Sequence, residues 1–145
     1  MPAKATILWA EDDDNDVFFF QRALSKTGLN HQLIRVSDGA KAVDYLSGKP
    51  PFTDRHQYPI PHLVLLDLKM PRMGGFDVLA WLKAQPELRA IPALVLSSSN
   101  QESDQRRALE LGASDYLVKP SQGEALVELV RTIDEKWLRS ASVES

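Results

Sequence analysis

A chain of 145 residues fits one compact domain of ordinary size, and 43% hydrophobic with 26% charged residues is the balance of a globular chain rather than a disordered one. The formal net charge of -3 lacks the cation excess that nucleic-acid phosphates demand, so no direct nucleic-acid partner is expected. Without cysteine the chain has no disulfide, thiolate metal site or cysteine nucleophile; its longest apolar runs, such as Val17-Phe20 and Leu63-Leu66, are far too short to span a bilayer, so the cytoplasm is the expected compartment.

In chain order, Thr6-Ala10 is an apolar run without polar alternation, the pattern of a strand covered on both faces of a parallel sheet, and it stops at acid. From Asn15 to Thr27, Val17, Phe20 and Leu24 recur at helical spacing before the stop signal Gly28. Three adjacent phenylalanines cannot share one stripe, so one ring is expected to stay partly exposed. A strand at Gln32-Val36, an Asp38-Gly39 turn and a short helix at Ala40-Ser47 follow. Gly48 to His62 holds Pro50, Pro51, Pro59 and Pro61, which excludes regular structure and predicts a long surface loop.

Leu63-Leu66 then reads as another strand buried on both faces. The alternation continues with a helix at Phe76-Gln85, a strand at Ala93-Leu96, a helix at Gln101-Leu111 with a thin apolar side, and a strand at Asp115-Val118. The last helix, from about Gly123 to Arg139, carries Leu126, Leu129, Val130, Ile133 and Trp137 at i, i+3, i+4, i+7 and i+11, and Ser140-Ser145 reads as a frayed tail. Five β/α pairs predict an α/β fold: a doubly wound, five-stranded parallel sheet with five helices, in a single domain with its core at about 5–139 and a proline-rich insertion at 48–62.

Sites in such sheets lie at the carboxyl ends of the strands. The strands deliver Glu11 and Asp12, then Asp67, Ser97 and Lys119, to that edge. Three converging carboxylates repel one another unless a hard divalent ion sits among them, and Mg²⁺, which takes one or two carboxylates plus phosphate oxygens, is the natural candidate. With Mg²⁺ and Lys119 the charges of Glu11, Asp12 and Asp67 are balanced.

Four segments, Ile7-Leu8-Trp9-Ala10-Glu11-Asp12-Asp13, Leu65-Leu66-Asp67-Leu68-Lys69-Met70-Pro71-Arg72-Met73-Gly74-Gly75, Leu96-Ser97 and Gly112-Ala113-Ser114-Asp115-Tyr116-Leu117-Val118-Lys119-Pro120, resemble the receiver domains of two-component response regulators over nearly the whole chain. The resemblance implies a flavodoxin-like fold with Asp67 as phosphoacceptor, Asp12 as a direct metal ligand, Glu11 acting largely through water, and the Lys69 carbonyl completing the protein ligands. It implies that Lys119 pairs with the phosphoryl group, Ser97 swings toward it, Tyr116 changes rotamer in concert, and a cis bond before Pro120 shapes the loop after Lys119. The donor would be the phosphohistidine of a sensor histidine kinase, and the output a protein-binding surface on the last two helices and the strand between them. The chain would then be a signalling protein whose only chemistry is its own phosphoryl transfer and slow dephosphorylation.

The 48–62 insertion and the Ile133-Asp134-Glu135-Lys136-Trp137-Leu138 ending resemble single-domain receivers of bacterial phytochromes, which implies a kinase of that type and a homodimer through the later helices. Gly74, Trp9 and Ser121 depart from the commonest family pattern.

Plainer readings compete at several positions. Asp13, Asp14 and Asp16 read as a solvated helix start favoured by the helix dipole, whereas Asp12 does not. An EF-hand counted from Asp12 fails, because Val17 stands where glycine is needed and Ala23 where the bidentate Glu belongs. His31, His56 and His62 lack ligand spacing and read as turn or surface residues. Of Ser97-Ser98-Ser99, only Ser97 reads as functional by register, while the resemblance implies that Lys69 and Ser99 occupy positions that tune dephosphorylation. The chain could instead be an interaction domain that keeps the site as a relic. A haloacid dehalogenase-type hydrolase also uses an Asp nucleophile with Mg²⁺, but it needs a second Asp where this chain has Lys69.

Overall fold

The structure is a computed structural model that describes residues 4–120 and 123–138. Its elements run β1 (Thr6–Ala10), α1 (Asp14–Thr27), β2 (Gln32–Val36), α2 (Gly39–Ser47), β3 (Leu63–Leu66), α3 (Gly75–Lys83), β4 (Ala93–Ser97), α4 (Glu102–Glu110), β5 (Asp115–Val118) and α5 (Glu124–Ile133), the last continued by a π-helical turn at Asp134–Leu138. The strands form one parallel sheet in the order β2-β1-β3-β4-β5. The expected doubly wound sheet with five helices is therefore present.

Period-two geometry explains why the central strands read as continuous apolar runs. Ile7, Trp9, Leu63, Leu65, Leu94 and Leu96 point into one core with α1 and α5, while Leu8, Ala10, Val64, Leu66, Ala93 and Val95 point into the other with α2 and α3. The edge strands β2 and β5 are only partly buried.

Helix α1 starts where Asp13 accepts from the backbone N–H groups of Asn15 and Asp16, and it ends at Gly28, whose φ of 75° an L side chain rarely adopts. Phe20 is buried and lies 4.6 Å from the Trp9 ring, but both Phe18 and Phe19 are exposed, not one ring as expected. The apolar stripe of Val17, Phe20, Ala23 and Leu24 leaves both neighbours off the core side. At α2 the Asp38-Gly39 pair is the helix start itself: Asp38 accepts from the Lys41 N–H, and the helix begins at Gly39.

The proline-rich insertion contains no helix or strand, as expected, yet it is more than a surface loop. Phe52, tilted, and Tyr58, edge-on, pack against the fully buried Tyr45 ring, whose hydroxyl donates to the Pro59 carbonyl. Arg55 donates to the Tyr45 and Leu46 carbonyls in the last turn of α2, and the Tyr45 carbonyl also accepts from the Gly48 N–H at 3.1 Å. The one cis peptide among the described residues is Pro50-Pro51. The cis bond expected before Pro120 is not found, a correction that X-Pro bonds allow because their two forms lie close in energy.

The final helix also differs from its regular expectation. Leu126, Val130 and Ile133 are buried as the stripe predicts, but the π turn, with its i to i+5 spacing, carries Leu138 into the core and leaves Trp137 half-buried. Arg139, the 140–145 tail and Ser121 lie outside the described residues. At the opposite end of the sheet from the acidic edge, His31 Nδ1 and His62 Nδ1 accept from the Ala5 and Thr6 N–H groups at 3.0 Å. His31 therefore carries its proton on Nε2 and donates to Asp134 at 2.8 Å, so it is an internal tie and not a surface residue.

Candidate functional site

Ladder hydrogen bonds continue one residue beyond the strands and fix the backbone of the site. Glu11 N–H donates to the Val36 carbonyl at 3.0 Å, Asp67 N–H to Ala10 at 3.1 Å, and Lys119 N–H to Ser97 at 2.8 Å. Glu11, Asp67 and Ser97 are buried and Asp12 is exposed.

One carboxylate oxygen each from Glu11, Asp12 and Asp67 lies within 4.8 Å of the others. An all-oxygen donor set at separations that one hard dication spans, directly or through a water, fits Mg²⁺ or Mn²⁺. Lys69 sits exposed on the rim of a cleft of about 400 Å³ that Asp67, Ser97, Ser99, Gln101 and Asp104 also line.

The segment after Asp67 is held by glycine. Gly75 N–H donates to the Leu68 carbonyl at 3.1 Å, and a Cβ on Gly75 would lie 2.2 Å from the Asp67 carbonyl oxygen. Gly39 is equally constrained, with 2.1 Å between such a Cβ and the Met73 carbonyl oxygen, to which its N–H donates at 3.1 Å. Gly74 caps α3 without a side-chain bond, and a Cβ there would stand 2.9 Å from the Leu68 carbonyl oxygen.

Burial raises the Glu11 carboxyl from 4.5 to about 7, with the Asp67 charge adding to it and Lys119 opposing it. Burial raises Asp67 as well, against the pull of Lys119. Burial alone would lower Lys119, but its bonds to Asp16 and Glu11 outweigh that and hold it above the usual lysine range. Lys119 Nζ lies 2.5 Å from Glu11 Oε1, 2.7 Å from Asp16 Oδ2 and 3.7 Å from Asp67 Oδ1.

Asp16 thus overturns the expectation of a merely solvated helix-start acid, whereas Asp13 caps the helix and Asp14 lies in its first turn as expected. Asp16 lies one helical turn after the acidic pair, facing the lysine, and with it the balanced charge count becomes one net negative. Arg35 was likewise not foreseen. From the edge strand its Nε donates to the Glu11 carbonyl at 2.7 Å and its terminal nitrogen pairs with Asp14 at 2.9 Å, clamping the acidic loop. A basic residue near the carboxyl end of β2 was the available sign.

Ser97 Oγ accepts from the Ser99 N–H at 3.1 Å, Ser99 Oγ donates to Asp104 at 2.6 Å, and the Tyr116 hydroxyl donates to the Ser99 carbonyl at 2.8 Å. Ser99, expected only to tune dephosphorylation, is therefore also the node joining Ser97 to α4 and to Tyr116.

An acidic cluster, a half-buried lysine and a serine at the carboxyl edge of a 2-1-3-4-5 parallel sheet suit a protein that holds a dication beside a carboxylate. Residues 7–131 match the response regulator receiver domain, and the chain belongs to that family. Response regulator Rcp1 of Synechocystis is 34% identical over 94% of this chain and 91% of its own length, and the Mn²⁺-bound form of Rcp1 superposes with a TM-score of 0.81 over 94% of this chain and 96% of that one. The phosphorylated cyanobacterial phytochrome response regulator RcpA is 33% identical, with a TM-score of 0.86 over 95% of this chain and 96% of that one. Response regulator RPA3017, from red light signaling of R. palustris, is 35% identical, with a TM-score of 0.89 over the same shares. The chain is a phosphoryl-accepting switch of two-component signalling.

Proposed function

We propose that Asp67 is the phosphoacceptor and that Mg²⁺ is the ion held by Asp12, Asp67, the Lys69 carbonyl and, largely through water, Glu11. The observation that carries this reading is the convergence of three oxygen donors within 4.8 Å beside a lysine 3.7 Å from Asp67. Bound there, the ion supplies charge neutralisation for the carboxylates and the incoming phosphoryl oxygens. An Asp67 oxygen attacks phosphorus in line, the phosphorus–nitrogen bond of the donor phosphohistidine breaks, and the histidine leaves with the electron pair. Lys119 and the Ser97 hydroxyl then donate to phosphoryl oxygens, and small acyl phosphates can replace the kinase as donor. No side chain must act as base, because positioning and charge carry this transfer.

The switch runs from Ser97 through Ser99 to α4 and Tyr116. Helix α4 buries only Ala108, so the phosphoryl group has a weakly held element to bias. The output is a protein-binding surface on α4, β5 and α5, where Leu109 and Val118 are exposed, and the same face supports a homodimer. The likeness to RcpA and RPA3017 supports a phytochrome-type sensor kinase as donor. We assign the chain to the cytoplasm as a single receiver domain without a separate substrate; in support, no described helix is long and apolar enough to cross a membrane, and the described strands form one sheet.

Incubation with Mg²⁺ and acetyl phosphate followed by intact mass measurement is the test. Wild type gains one phosphoryl group and Asp67→Asn gains none, while an unmodified wild type would point to an interaction domain with a relic site.

A further inference from the structure

Asp16 has no part in the phosphoryl chemistry, yet it makes one of the two shortest contacts to Lys119, the only cation within 4 Å of Asp67 among the described residues. An ammonium has three donors. Glu11 takes one at 2.5 Å and Asp16 a second at 2.7 Å, while Asp67 Oδ1, at 3.7 Å, lies beyond hydrogen-bond length. Lys119 is 14% exposed and sits between α1 and the end of β5, so the Asp16 bond spans two elements.

Glu11 already takes the ammonium, and without a second anchor the ammonium would settle between Glu11 and Asp67 and compete with the dication for the Asp67 oxygen. Asp16 stands outside the three-carboxylate cluster. We propose that Asp16 is a positioning residue that holds the Lys119 ammonium beside the phosphoacceptor rather than on it, which leaves Asp67 open to the cation and the third ammonium donor free for the phosphoryl group. The proposal rests on the reading of the site given above.

A double-mutant cycle on Mg²⁺ affinity tests it without any phosphorylation. In the otherwise wild-type protein Asp16→Asn weakens Mg²⁺ binding about tenfold, because the site loses a charge and the ammonium also shifts toward Asp67. In a Lys119→Ala background only the charge is lost, and the same substitution costs about threefold or less. Equal losses in both backgrounds, or a larger loss without Lys119, would overturn the proposal. Asp16→Glu keeps the charge and is expected to restore most of the affinity; a loss equal to that of Asp16→Asn also counts against it.

In metal-free protein the Lys119 Nζ and Cε NMR signals, assigned with Lys119→Arg, shift on Asp16→Asn and not on Asp14→Asn. An unmoved signal overturns the positioning role whatever the Mg²⁺ titration shows. Because neither measurement uses a phosphoryl donor, a missing adduct on Asp67 would count against the proposed function and not against Asp16.

Discussion

Single residues set the chemistry of this site through burial. Glu11 titrates near 7 because its carboxyl is 1% exposed, and a cation requires it deprotonated. Since its folded value is raised, its contribution to stability without a cation is complete below about 4.5 and is lost as pH rises through about 7. Mg²⁺ affinity has the opposite slope: it is expected to climb between pH 6 and 8 and to level off above, and the raised Asp67 acts in the same direction. Calorimetric titrations across that range check this, and Glu11→Gln should flatten the profile. A second prediction concerns Gly75, where a methyl group would collide with the Asp67 carbonyl at 2.2 Å. Gly75→Ala is expected to cost about 3 kcal/mol in urea unfolding and to slow adduct formation, because the clash moves the Asp67 backbone.

Among the elements, the insertion and α4 are opposites. The insertion lacks secondary structure but is tied by Arg55 to the last carbonyls of α2 and by Phe52 and Tyr58 to Tyr45. Arg55→Ala removes the side-chain donor from the Leu46 carbonyl and one of two donors from the Tyr45 carbonyl, and is expected to lower stability by about 2 kcal/mol, seen as a reduced midpoint in thermal unfolding. Helix α4 is regular but contributes only Ala108 to the core. Its amides are expected to exchange with solvent faster than those of α1 and α5, and phosphorylation should change α4 protection more than that of any other helix. Uniform protection across the helices would contradict the assignment of α4 as the moving element.

Across the whole molecule, the two cores share one sheet, and the ties at its two ends serve different purposes. The carboxyl edge gathers charge, while the amino end is closed by His31 and His62 on β1, with His31 reaching the π turn through Asp134. His31→Ala removes the acceptor for the Ala5 N–H and the donor to a buried carboxylate. A loss of about 2 kcal/mol in stability is expected, with phosphorylation by acetyl phosphate unchanged, since the site lies at the other end of the strands.

The sequence by itself determined the strands and the identity of the site edge. Apolar runs as short as Thr6-Ala10 and Leu63-Leu66 suit a strand buried on both faces better than a helix, and the residue that follows each run emerges at the carboxyl edge. Glu11, Asp67 and Ser97 were legible for that reason, and Lys119 from its place directly after the partly buried β5. Asp16, Arg35 and the junction at Ser99 were not, because their roles depend on which elements face each other: Asp16 becomes a partner of Lys119 only when α1 lies beside the end of β5, and Arg35 reaches Glu11 only when β2 pairs with β1. The π turn, the second exposed phenylalanine and the packed insertion belong to the same class. Local periodicity reports how much of a residue must be buried, whereas the partner it is buried against is chosen by contacts between segments far apart in the chain.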